Sequence, residues 1–188
     1  MATVTSELTK ALFGIWLILK NHPEAENFFN ISTAGFWRSF IAAILVLPAN
    51  VIITAIGISA SGEMPYSISD GARDLLIYTI NWLFYPLIVI HFCRYLDLED
   101  KALKYIIPYN WASIPTGYLF AFATLIGGGL GSNHLGAGLL FLAYAFAIFL
   151  FFEIARRQLR VSRFAAVGVV VFDFLFSITL ISVLGFIR

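Results

Sequence analysis

Charged positions divide the chain into long apolar stretches with short polar ones between them. Ser39–Gly62 (24 residues) and Leu75–Cys93 (19 residues) contain no Asp, Glu, Lys or Arg. Tyr105–Phe152 extends this to 48 residues, and Phe164–Ile187 runs for 24 with Asp173 as its only charge. A helix needs about 20 mainly apolar residues to cross the hydrocarbon of a bilayer, so the first, second and fourth stretches each predict one crossing. The third predicts two, joined by a tight turn at Gly127-Gly128-Gly129-Leu130-Gly131. The predicted fold is all-α: a polytopic membrane protein with five transmembrane helices, at Phe36–Ala60, Leu75–Tyr95, Pro108–Leu130, Leu135–Arg156 and Phe164–Ile187.

The first 31 residues read differently. From Thr5 or Ser6 to about Lys20, Leu8, Leu12, Ile15 and Leu19 recur at helical spacing, with Lys10 and Asn21 opposite. The uncharged run Ala11–Leu19 is too short to span, and no small-x-small cleavage site follows it, as a signal peptide would need. The pattern predicts an amphipathic helix lying in the membrane interface, then a polar linker over Asn21–Asn30 ahead of the bundle, residues 32–188. Ser32 or Thr33 suits the N-cap of the first span, and Pro108 suits the first turn of the third. Pro48, Pro86 and Pro115 fall inside spans, where each removes a backbone hydrogen bond.

Composition supports a lipid environment. Hydrophobic residues make up 60% of the chain and charged ones 12%, about half the usual share, and the mean hydropathy is +0.88. The net charge of +1 gives no electrostatic footprint for nucleic acid, and the lone Cys93 excludes an intrachain disulfide. The placement of charge is more telling than its sum. With five spans, ten of the twelve Lys and Arg fall on one side: Lys10, Lys20, Arg38; Arg94, Lys101, Lys104; Arg156, Arg157, Arg160 and Arg163. Arg73 and Arg188 fall on the other. The positive-inside rule then puts the N-terminus in the cytoplasm and the C-terminus outside.

This topology disposes of several motifs. Asn30-Ile31-Ser32 is a glycosylation sequon on the side where no glycan is added. His22 and His91 lie towards the cytoplasm and His134 outside, so they cannot share a metal. Asp97, Glu99 and Asp100 read as a solvated loop beside Arg94, Lys101 and Lys104. No Ser/His/Asp or Cys/His set falls at one depth on one side, so no catalytic residues, metal site or cofactor are expected, and an enzyme is not.

The candidate contacts are polar residues in apolar surroundings. Asp173 lies about 13 Å into the hydrocarbon, counting from Phe164. A charge there costs at least about 2.5 kcal/mol, so the residue must face protein or water, or be neutral. It reads as a hydrogen-bonded acid tying the last span to its neighbours, or as a proton or cation site. Tyr85 lies at comparable depth as a candidate partner. Asn50 and Asn81 match in depth and are candidates for an amide pair between spans one and two. Glu153 is one turn from Arg156 and Arg157. The run Arg156, Arg157, Arg160, Arg163 is either positive-inside anchoring or a contact for anionic headgroups or a cytoplasmic partner. Gly117 with Ala121, and Ala143 with Ala147, offer small-residue surfaces for close helix packing.

The segment order carries a resemblance. Five closely spaced spans, with Lys101-Ala102-Leu103-Lys104-Tyr105-Ile106-Ile107-Pro108-Tyr109 leading into a Pro-bearing third, look like a bacterial relative of the Yip1 family. Phe36-Trp37-Arg38-Ser39-Phe40 is similar to the start of small bacterial inner-membrane proteins. The resemblance covers roughly Ser32 to Arg188. It implies a helical adaptor, membrane organiser or accessory subunit without catalytic residues, with lipids and other membrane subunits, or itself, as partners. The Asp-Leu-Tyr-Gly-Pro motif of eukaryotic members is absent, so binding of small GTPases is not implied. The alternative from another class is a small transporter or channel subunit that uses Asp173.

Overall fold

The computed structural model describes residues 4–62 and 66–185. Among these residues the chain is helical, with seven α-helices: α1 Val4–Leu19, α2 Thr33–Ser39, α3 Ile41–Ser61, α4 Ile68–Tyr95, α5 Glu99–Thr124, α6 Asn133–Gln158 and α7 Arg163–Gly185. A 3₁₀ helix covers Pro23–Phe28, and a π turn at Leu125–Gly129 prolongs α5. Among the described residues, four segments are long and apolar enough to cross a membrane: Thr33–Ala60, Ile68–Tyr95, His134–Gln158 and Arg163–Leu180. The third expected span, α5, matches them in length but not in apolarity, because Tyr109, Asn110, Ser113 and Thr116 interrupt it.

The position of α5 accounts for that polarity. It packs against α1, α2, α3, α4 and α6, and Tyr105, Ile106, Ile107, Asn110 and Trp111 on it are buried. Tyr109 and Asn110 therefore find partners on other helices, while Ser113 and Thr116 donate back to carbonyls of α5 itself. The outer helices α4, α6 and α7 instead expose large apolar side chains such as Leu87, Phe141 and Leu175, as lipid-facing surfaces do.

Several local expectations are met and others are corrected. Ser32 caps α2, its Oγ accepting from Gly35 N at 3.0 Å. The first span, however, is two helices jointed at Phe40, whose N–H turns back to Trp37 O. α4 starts seven residues before Leu75, because Ser67 and Asp70 form a capping box. Pro108 is not in a first turn but inside a helix that begins at Glu99; Glu99 and Asp100 in its first turn suit the positive end of the helix dipole. Ile187 lies outside the described residues.

The glycine run ends a helix and then reverses the chain, with Gly131 at φ 70°. There α5 and α6 meet backbone to backbone: a Cβ built on Gly136 lies 2.6 Å from Gly127 N and closer still to Gly127 Cα. The small-residue pairs also pack as expected. A Cβ on Gly117 meets Val46 of α3 at 2.8 Å, and Ala121, Ala143 and Ala147 are buried.

The N-terminal segment is docked onto the bundle by a face rotated from the expected one. Glu7, Ala11, Ile15 and Ile18 are buried, whereas Leu12 is 37% exposed, with Phe13 and Trp16 beside it. Small Ala11 and Gly14 let α1 approach its neighbours, so close fit outweighs side-chain size in choosing the face. Asn21–Asn30 is no simple linker. His22 caps the 3₁₀ helix, and Ala25 and Phe29 are buried. Glu7 receives Arg38 at 3.1 Å and Asn30 Nδ2 at 2.6 Å, joining α1 to the start of the first span. At the same end, Arg157 donates to His22 O at 3.2 Å and to Asn21 Oδ1.

Candidate functional site

The polar side chains inside the bundle form a seam along α5. Tyr109 Oη donates to both carboxylate oxygens of Asp173, at 3.0 and 2.9 Å, and ties α7 to α5. Tyr85 does not bond Asp173; its hydroxyl pairs with that of Tyr105 at 2.6 Å. It still belongs to the cluster, with its ring centroid 4.7 Å from that of Tyr109 and 6.3 Å from Phe176. The pairing follows from where the two helices start. Tyr109 is ten residues into α5 and Asp173 ten into α7, so at 1.5 Å per residue both sit about 15 Å from the same end. Counting depth without the extra turns at the start of α5 hides this match.

Two more tyrosines tie α3. Tyr78 Oη of α4 donates to Ala43 O at 2.6 Å, and Tyr118 Oη of α5 to Leu45 O at 2.9 Å. They bracket Ile44, whose carbonyl loses its helical donor to Pro48. Asn110, 1% exposed, donates through Nδ2 to Ser39 Oγ at 2.9 Å. Ser39 Oγ spends its own proton on Phe36 O at 2.7 Å, so it can only accept from Asn110. The amide must present its nitrogen there, and Oδ1, also buried, is left without a partner.

Asn110 lines a cavity of about 180 Å³ between α4, α5 and α7, together with Tyr78, Asn81, Tyr109, Ser113 and Ser177. The proposed Asn50–Asn81 pair is not formed: among the described residues no hydrogen bond joins them, and Asn81 faces this cavity instead. Because Tyr78 and Tyr109 donate elsewhere, what they and Asn110 offer the cavity is acceptor capacity. Asn81 adds amide donors as well as an acceptor, so the lining as a whole suits water, which both donates and accepts.

The basic run divides in two. Glu153 holds Arg156 at 2.7 Å and Arg157 at 3.4 Å, as its spacing predicts. With Arg157 also bound to the α1 turn, both are used within the protein. Arg160 reaches Glu26 only at 3.7 Å and stays largely exposed, and Arg163 is exposed at the start of α7. Among the described residues no three His, Cys, Asp or Glu are grouped to hold a metal ion.

Comparison with known proteins finds no family model, no curated protein and no solved structure that matches this chain.

Proposed function

We propose that the protein is an integral membrane adaptor, organiser or accessory subunit that works through helix–helix and lipid contacts, with α5 as a fifth, central crossing. The observation that carries this reading is how the interior polar groups are used. Tyr78, Tyr85, Tyr109, Asn110 and Tyr118 each bond to a neighbouring helix. Those bonds hold a scaffold together, while apolar faces are left for lipid or partner. The Yip1-like segment order supports the same class.

The proposed topology is N-terminus cytoplasmic and C-terminus outside in a bacterial inner membrane, with Asn21, Glu26, Arg157 and Arg160 gathered at one end in its support. Reporter fusions after Lys20, at Ser67, at Glu99, at Ser132, after Arg160 and at the C-terminus test it. They should alternate between cytoplasmic and external, and a cytoplasmic C-terminus would refute five crossings. Purification in mild detergent tests the function: a stable complex with another membrane protein supports the subunit reading.

A second reading, a small transporter or channel subunit using Asp173, is favoured by the polar cavity beside Tyr109. Asp173→Asn separates the two. Asn still accepts from Tyr109, so a structural tie survives with unchanged melting temperature. A carrier would lose pH-gradient-driven flux in proteoliposomes while staying folded.

A further inference from the structure

The polar cavity between α4, α5 and α7 has room for more than solvent. It measures about 180 Å³, and an internal cavity of about 150 Å³ admits a molecule the size of benzene. Several groups around it can only accept. Asn110 is 1% exposed, and with Nδ2 committed to Ser39 its Oδ1 has no partner among the described residues. Tyr109 Oη gives its proton to Asp173, and Ser113 Oγ gives its own to Tyr109 O at 3.2 Å, so each meets the cavity as an acceptor. Pro86, also in the wall, has no N–H to offer Trp82 O, and a carbonyl freed in this way inside a membrane needs a donor from elsewhere. Asn81 and Ser177 bring donors of their own and can hold water beside a ligand.

Two further properties select a cation over a neutral donor. Tyr78, Trp82, Tyr85 and Tyr109 all line the cavity, and aromatic faces attract positive charge. Asp173 does not line it but lies one hydroxyl behind, since Tyr109 bonds both carboxylate oxygens. Across residues 39–62, 75–93, 105–152 and 164–187, Asp173 is the only Asp, Glu, Lys or Arg. No basic side chain of those stretches competes for the carboxylate. A bound cation would supply the opposite charge that favours an ionised acid.

We propose that this cavity binds a small primary ammonium ion, its N–H groups donating to Asn110 Oδ1 and the neighbouring acceptors and its charge balanced by Asp173. The site rests on the second reading above, in which Asp173 serves a cation, and it names the chemistry of that cation. Binding alone is required, not transport. An ammonium group carries three donors, so it satisfies acceptors spread over two helices. An alkali-metal ion would need several oxygens to converge on one point.

The test is thermal unfolding of the full chain in mild detergent, with ethylammonium chloride titrated against potassium chloride at equal ionic strength. Each variant is judged by the change that the salt makes to its own melting temperature. Ethylammonium should raise the melting temperature of wild type by binding the folded state, and potassium or ethanol should not. Ser113→Leu should abolish the shift by filling the cavity, whereas Gly57→Leu, in open space on α3, should keep it. Asp173→Asn keeps the bond from Tyr109 but loses the charge, and should weaken ethylammonium binding by about tenfold or more. No shift in wild type, or an equal one with potassium or ethanol, overturns the ammonium assignment. An undiminished shift in Ser113→Leu or Asp173→Asn overturns the site. Amine flux in proteoliposomes is read separately: flux without an Asp173-dependent shift refutes the site and leaves transport standing, and a shift without flux refutes transport and leaves the site.

Discussion

Gly136→Ala is the sharpest test of how α5 and α6 are joined. The added methyl would sit 2.6 Å from Gly127 N, whereas ordinary contact begins at 3.4 Å. The obstacle is backbone, so no side-chain rotation relieves it and the two helices have to part. Overpacking of this kind costs about 1–3 kcal/mol. For a chain of this size each kcal/mol moves the melting temperature by roughly 2–4 °C. Two residues along the same helix, Gly138 has nothing within 4 Å of its added Cβ. Gly138→Ala therefore changes the same residue type at an open position. Thermal unfolding in one detergent should show Gly136→Ala melting several degrees below wild type and Gly138→Ala at or slightly above it. Equal melting of the two variants would refute the backbone contact and the reason given for glycine at 127 and 136.

The docking face of α1 gives a paired comparison: Ile15→Ala should cost about 2–4 kcal/mol as a buried truncation, and Leu12→Ala less than about 1 kcal/mol. The reverse order by chemical denaturation would restore the face expected from side-chain size. Glu7→Ala leaves both Arg38 and Asn30 short of a partner. Since the Arg38 side chain is one-third exposed, the loss should be about 2 kcal/mol, below the 3–5 kcal/mol of a fully buried pair, with limited proteolysis reporting release of α1. Tyr109→Phe should cost on the order of 1 kcal/mol by removing the only hydroxyl that, among the described residues, Asp173 accepts from. Asp173→Leu combined with it should cost little more, and additive losses in the melting of the single and double variants would show that the two residues do not act together.

Helix class was legible because stretches such as Ser39–Gly62 are long and uncharged enough to cross a bilayer, and a segment that crosses one has to be helical or part of a barrel. Helix starts were less legible. The capping signal at Ser67 and Asp70 lay outside the uncharged run that marked the span, and the polar start of α5 was masked by the same criterion. The joint at Phe40 has no Gly or Pro to announce it. Small-residue packing was readable at Gly117 and Ala143, yet on α1 the same rule was passed over in favour of the larger Leu12. For the site, Asp173 drew attention because a lone acid in hydrocarbon needs a partner. Choosing Tyr109 over Tyr85 required knowing where α5 begins. Asn110 is invisible to composition, since its meaning comes from Ser39, 71 residues away.

The contact between Arg157 and Asn21 sets an order on biogenesis. The two residues are 136 positions apart, so at 5–20 residues per second the chain spends roughly 7–27 s with α1 made and its latch not yet synthesised. Until α5 is made, Ala11, Ile15 and Ile18 have neither α5 nor α6 to cover them. A short helix with Lys10 at its middle and Lys20 just past its end can wait on a membrane surface, where a fully apolar one would insert. The moderate amphipathicity of α1 thus serves the nascent chain, and the same residues later become interior packing.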